Sequence, residues 1–338
     1  MAQVPGPAAL PVNPGASGPD EGGATDYEVN LKSLTQFELV WRKFRRHRLA
    51  MVGLGLLITM FAAAIVGPIF LPFTVDDIPD AATKAYEGLP PFCTNYLATS
   101  LPHTCASYGL THPFGTTGGL QWDVFTLVLN GARTSLLIGF SSMAIGVVLG
   151  TIVGAIAGYI GGFLDNVLMR IVDVMLSLPL LFVILVVSRF FKDQRDNVWQ
   201  IILIFGVFSW MGVSRLVRSL FLSIREREFV EAARAVGVRD RRIIFRHILP
   251  NALSPIVVAA SLIVAGNIIG EAFISFLGFG VNPYTPTWGN ILSNSLTYLL
   301  VGNWWWPAFP GLAIIVTVLA VNFVGDGLRD AFDPRTRA

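Results

Sequence analysis

The chain has 338 residues, of which 53% are hydrophobic and only 14% charged, with a formal net charge of +2. Soluble chains carry about a quarter charged residues, so this composition, with a mean hydropathy of +0.62, excludes a soluble globular protein. The partner it names is the membrane, not nucleic acid.

In chain order, residues 1–30 are dominated by Pro, Gly and Ala and carry little that could be buried. They are expected to form a disordered cytoplasmic tail, and they lack the basic region and apolar core of a signal peptide. Residues 31–48 place Leu34, Phe37, Val40, Trp41 and Phe44 at helical spacing beside a basic run from Arg42 to Arg48. Two readings stand there: an amphipathic helix along the inner membrane surface, or a basic anchor flanking the first span. Runs of roughly 18 apolar residues cross a bilayer as helices. Charge is absent from Leu49 to Val75, Thr134 to Leu164, Asn197 to Ser214 and Ile248 to Gly270. It is also absent from Ala272 to Gly325, long enough for the end of one span, a loop and a complete further span. One more span, Val167 to Ser188, is interrupted only by Arg170 and Asp173. The expectation is an all-α integral membrane protein with six transmembrane helices. The first occupies 49–72, followed by an extracytoplasmic loop over 73–133, a core over 134–330 and a short cytoplasmic tail over 331–338.

Basic residues mark the cytoplasmic side. They gather before the first span, in segment 223–252 (Arg225, Arg227, Arg234, Arg239, Arg241, Arg242, Arg246) and in the tail (Arg329, Arg335, Arg337). The stretch 73–133 is mildly acidic, and Gly278 to Pro307 is uncharged. Six spans with both termini cytoplasmic satisfy this distribution. The short mixed-charge loop from Arg189 to Asn197 carries little topological weight.

Segment 223–252 holds the string EAARAVGVRDRRIIFRHILP. Phe229, Ala232, Ala233 and Val236 fall on one helical face, where alanines permit tight seating against a partner, and Glu231 lies to the side. Gly237 is placed as a helix stop in left-handed geometry. A second short helix is expected from Asp240 as N-cap, broken at Pro250, with the next span starting at Ser254-Pro255. This string resembles the EAA loop of the membrane subunits of bacterial ABC importers. The resemblance implies the type I importer permease fold, with short coupling helices seated in a groove of an ATP-hydrolysing subunit. It assigns that docking to Phe229, Glu231, Ala232, Ala233, Gly237, His247 and Pro250.

Further strings are similar to the C-type permeases of dipeptide and oligopeptide importers. They are His112-Pro-Phe-Gly-Thr116, Asp123-Val-Phe125, Gly131-Ala-Arg-Thr-Ser-Leu136, Gly158-Tyr-Ile-Gly-Gly-Phe-Leu-Asp165, Phe276-Leu-Gly-Phe-Gly280 and Gly325-Asp-Gly-Leu-Arg-Asp330. The similarity covers roughly residues 33–335. It departs at Thr117 and Gln121-Trp122, in the longer cysteine-bearing loop, and in the extra N-terminal tail. The resemblance implies a homologous second permease, two ABC ATPase subunits that use ATP and Mg, and an extracytoplasmic solute-binding protein. It implies no cofactor and no catalytic role for this chain. Import of nickel, glutathione or opines stays open as the substrate alternative, and a proton-coupled secondary transporter as a remoter one.

Charged groups at membrane depth are functional candidates. Arg170 and Asp173, three apart on one helix, form either a structural pair or a gate. Glu271, with Asn267 one turn before it, either lines the translocation path or makes a packing hydrogen bond. Gly146, Gly150, Gly154, Gly158 and Gly162 form a smooth stripe for close helix approach, for sliding or for static packing. Trp304, Trp305 and Trp306 sit where an outer aromatic belt belongs. The chain carries no GxxxxGK[ST] phosphate loop, no HExxH and no GxSxG string, and its four histidines show no metal-ligand spacing. Cys93 and Cys105 share the outer loop, where an oxidising face favours a disulfide over two free thiols. Alkylation without reductant is therefore expected to leave both unlabelled, and mass spectrometry showing prompt labelling of both would remove the bridge.

Overall fold

A computed structural model of the chain describes residues 36–70, 113–117, 122–190, 198–300 and 302–332. The N-terminal tail, Cys93 and Cys105 lie outside the described residues. Helices α1 Gln36–Arg46, α2 Arg48–Phe70, α3 Val124–Ile160, α4 Gly162–Ser177, α5 Leu180–Phe190 and α6 Val198–Arg225 follow in order. Then come α7 Glu228–Ala235, α8 Asp240–Ile243, a π-helical turn Ile244–Ile248, α9 Leu249–Phe276, α10 Trp288–Leu299 and α11 Trp305–Phe332.

Among the described residues, five helical stretches are long and apolar enough to cross a membrane: α2, α3, α6, the continuous rod Asp240–Phe276, and α11. The expected span over Val167 to Ser188 is instead two shorter helices, α4 and α5, parted at Leu178-Pro179. Leu178 takes an extended ψ of 125°, the region to which the following proline ring confines it. The start of α3 lies ten residues before the charge-free run, because Asp123 caps it: its carboxylate accepts from the Thr126 amide and hydroxyl, each at 2.7 Å. Arg133 thus lies inside the helix rather than before it.

Helices α3 and α6 approach until their backbones touch. Gly146, Gly150, Gly154 and Gly158 each face an α6 carbonyl, those of Gly206, Trp210, Ser214 and Arg218 in turn. A Cβ on Gly150, Gly154 or Gly158 would lie 2.6, 2.5 or 2.7 Å from that oxygen. Val213, Val217 and Phe221 wedge their Cβ atoms beside the same glycines. The stripe is a close interlock of two backbones. Gly162 leaves the row: Gly161 and Gly162 take φ of 73° and 62°, which only glycine adopts without strain, and together they turn the chain sharply from α3 into α4.

Two large cores flank this pair, and a smaller one of Ile138, Ile184, Ile201, Ile202, Phe205 and Ile274 joins α5 to α3, α6 and α9. The first large core joins α2, α3, α9, α10 and α11 through Leu57, Leu136, Val264, Ile268, Trp288 and Ala320. Trp305 and Trp306 belong to it, 6% and 5% exposed, whereas Trp304 is 58% exposed. The Trp306 ring packs against Tyr298 of α10, and the Trp305 indole donates to the Thr116 carbonyl at 3.2 Å, so of the three only Trp304 presents its ring on the surface. The second core runs from α6 through α7, α8 and the π turn into α9. Helix α1 lies against α11, with Phe44 buried beside Ala50 and Ala331, so the basic lead-in packs on protein as well as flanking the first span.

A leucine at position 154 has nowhere to go between two backbones. Gly154→Leu is expected to lose at least the roughly 1–3 kcal/mol typical of overpacking, read as reduced heat resistance of the detergent-purified chain. Gly55→Ala in α2, where an added Cβ meets nothing within 4 Å, is the control and should match the unsubstituted chain. Equal heat resistance of Gly154→Leu and the unsubstituted chain would contradict the interlock.

Candidate functional site

The EAA string lies at the end of the bundle where α6 stops and α9 begins. Helix α7 ends as sequence reading expects. Gly237 takes φ 80°, its amide donates to the Arg234 carbonyl, and the Val238 amide donates to the Ala233 carbonyl at 3.1 Å. That pair of bonds is the Schellman arrangement, and it fixes the turn into α8. No side chain crowds Gly237 within 4 Å, so the requirement for glycine there is one of backbone angle.

The inner side of the loop is closed. Val230, Ile243 and Ile248 are fully buried against Phe221, Ile224 and Ala252. The outer side is open. Phe229 is 40% and Val236 84% exposed, with exposed Ala232 between them and Glu231 at the rim. Ala233 turns partly inward against the buried cluster, so the expected apolar face divides: Phe229, Ala232 and Val236 point outward while Ala233 helps seat the helix. Beside them, Arg239, Arg241, Arg242 and Phe245 line an open cleft of about 450 Å³. A small apolar patch rimmed by charges on rigid short helices suits contact with another protein surface.

Two expectations about the second half of the loop are corrected. Asp240 is the first residue of α8 rather than its cap, which is Arg239. Pro250 does not break the helix. The preceding turn widens to π form and the rod continues through Pro250 and Pro255 as α9, the wide turn making room for a residue that cannot donate a backbone hydrogen bond. Pro250 is exposed, and His247 is half-buried with its carbonyl accepting from Asn251 Nδ2 at 2.6 Å.

The residues at membrane depth are placed differently from their sequence reading. Arg170 and Asp173 do not pair: Asp173 bonds Arg215 of α6, and Arg170 is exposed. Similarly Asp165 accepts from both Nε and Nη2 of Arg218, along one edge of the guanidinium. These two pairs let α6 run on to Arg225 although its charge-free stretch stops at Ser214. Asn267 and Glu271 are 6% and 0% exposed in the single chain. Glu271 accepts from Ser135 at 3.2 Å and Ser275 at 2.7 Å. Asn267 donates to Ser142 at 2.8 Å and accepts from Ser209 at 3.1 Å. Glu271 thus ties α9 to α3, and Asn267 ties it to both α3 and α6. Sequence reasoning missed Tyr159, Arg218 and Arg225, all of which meet at the loop's foot; the Gly158–Asp165 string contained the signal without its partner.

The comparisons with known proteins agree with this architecture. The family model of the binding-protein-dependent transport system inner membrane component matches residues 150–338. That of the N-terminal TM domain of oligopeptide transport permease C matches residues 35–91. The dipeptide transport system permease protein DppC of Bacillus subtilis is 34% identical over 94% of each chain. The oligopeptide transport system permease protein OppC of Haemophilus influenzae is 36% identical over 92% of each. A putative peptide permease protein of Brucella suis is 37% identical over 87% of this chain and 89% of its own. The solved MetNI methionine ABC transporter, in an inward-facing conformation, superposes with a TM-score of 0.51 at 22% identity, covering 61% of this chain and 97% of that one, a likeness of fold. The chain belongs to the binding-protein-dependent transport system inner membrane components, the membrane-spanning permease subunits of ABC importers.

Proposed function

We propose that this chain imports di- and oligopeptides as one of a pair of permeases, driven by ATPase subunits that grip its EAA loop. The observation that carries the docking part is the rigid backing of α7: Val230 is fully buried beneath a helix whose opposite side exposes Phe229 and Val236. An apolar patch held so firmly is preorganised for a partner and gives up little entropy on binding. The substrate class follows the relatives, which are named for dipeptide and oligopeptide transport. In this reading the loop and both termini face the cytoplasm, where the basic residues gather, and a solute-binding protein delivers peptide to the opposite side. ATP and Mg are used by the two ATPase subunits. Their closure moves α7 and α8 as a body, and the bundle switches access from one side to the other, a two-state change driven by differential affinity for ATP.

Purification of the tagged chain from native membranes in mild detergent is expected to bring down a second permease and ATPase subunits. The complex in vesicles with its binding protein should take up members of a di- to pentapeptide pool only with ATP. Import of nickel in place of peptides would overturn the substrate, and a chain that purifies alone under several gentle extractions would overturn the docking. Gly237→Leu forces a branched side chain into left-handed geometry, worth roughly 1–2 kcal/mol, and is expected to release the ATPases or cut uptake severalfold. Uptake by that variant equal to that of the unsubstituted complex would count against docking through α7.

A further inference from the structure

The corner between α3 and α4, the Gly158–Asp165 string, lies where the loop meets the bundle. Because the chain turns at Gly161 and Gly162, the last carbonyls of α3 lose their helical donors. Arg225, at the end of α6, supplies replacements: its Nη1 donates to the Gly158 carbonyl at 3.0 Å and the Tyr159 carbonyl at 3.3 Å. A guanidinium there also complements the negative end of the α3 dipole. Three residues past Gly162, in the first turn of α4, the Asp165–Arg218 pair fastens the other side of the corner to α6. The corner and the end of α6 therefore form one rigid unit.

Tyr159 connects that unit to the docking helices. Its hydroxyl donates to Asp240 Oδ1 at the start of α8. Its ring lies beneath the Arg234 guanidinium of α7, 6.0 Å from the ring centre. The same side chain packs against the buried cluster of Val230, Ile243 and Ile248. One tyrosine at the end of a membrane-length helix thus touches both short helices of the loop, one through a hydrogen bond and one through its π face.

We infer that Tyr159 is a positioning residue for coupling: with Asp240 and Arg234 it carries displacement of the docking helices into the α3–α4 corner. This rests on the proposed docking of ATPases to the loop. The second core already gives the loop a stiff seat on α6 and α9, so what the tyrosine adds is directional. When α7 and α8 shift as a body, the Tyr159–Asp240 bond takes the end of α3 with them, and the Arg225 and Asp165–Arg218 bonds, which hold α3 and α4 to the same end of α6, keep the corner whole as it moves.

The test uses the assembled complex with its ATPases and binding protein. Hydrogen exchange is compared without nucleotide and with ATP plus vanadate, alongside uptake of the di- to pentapeptide pool per ATP hydrolysed. In the unsubstituted complex, nucleotide should alter exchange both at residues 228–248 and at the corner, 158–166. Tyr159→Phe removes only the hydroxyl. It is expected to keep its ATPases and the change at 228–248, to lose the change at 158–166, and to lower uptake per ATP about 3- to 10-fold, the worth of one hydrogen bond. Asp240→Ala should do the same, and the double variant no more than either alone. Asp240→Asn keeps an acceptor and should stay near the unsubstituted ratio. A Tyr159→Phe complex with an unchanged corner response and uptake ratio overturns the inference, as does additivity in the double variant. Loss of the ATPases from Tyr159→Phe would make the residue one of assembly and also overturns it. If nucleotide leaves residues 228–248 unchanged even in the unsubstituted complex, the docking reading itself fails, a result separate from the others.

Discussion

Two helices whose backbones touch along the Gly146–Gly158 row set the frame for everything else. In a membrane, apolar side chains gain nothing by leaving lipid for protein, so association rests on close packing and on polar contacts. A glycine at every fourth position of α3 meets a carbonyl at every fourth position of α6, and the fit leaves no freedom to slide by a fraction of a turn. The end of this pair is thereby a fixed platform, and the loop's foot is built on it: Phe221, Ile224 and Arg225 all project from the last turns of α6.

The polar groups inside the bundle follow the same logic. Glu271, Asn267, Ser135, Ser142 and Ser209 are few, and each is joined to another across a helix boundary. A Trp288 amide donates to Ser135 at 3.2 Å, so α10 is anchored to the network that joins α3 and α9. Hydrocarbon offers no water to satisfy such groups, and each therefore bonds within the protein. The charges obey it too: Arg215 and Arg218 extend α6 past its apolar stretch because Asp173 and Asp165 of α4 reach them.

Where the sequence speaks through local chemistry it is legible. Gly237 at the end of an alanine-rich helix foretells a left-handed stop, and the apolar runs foretell α2, α3, α6, α9 and α11. It is silent where a partner far along the chain decides. Nothing near Asp173 says that it prefers Arg215 over Arg170, because the choice depends on α4 lying beside α6. Trp305 and Trp306 look interfacial until the fold buries them, Trp306 against Tyr298 of α10 and Trp305 on the Thr116 carbonyl, and α10 itself hides in an uncharged stretch marked locally by Thr287, which accepts from the Asn290 amide at 3.1 Å. Pro250 misleads for a related reason: proline usually stops a helix, but a π turn just before it, invisible to residue propensity, lets the rod continue.

A solute cannot pass through the interior of this subunit as it is packed. The α3–α6 seam is backbone on backbone, and the α3–α9 seam is closed by Glu271 and Asn267, both bonded and buried. What the subunit leaves open is its flank: α4 and α5 carry Phe163, Ile171, Val174 and Phe182 on exposed positions, with Arg170 among them. An arginine on an apolar, membrane-depth face demands a polar neighbour or water, and the subunit's own acids at that level are already engaged with α6. Under the proposed pairing with a second permease, this exposed flank, and not the bonded seams, is the surface the partner would cover.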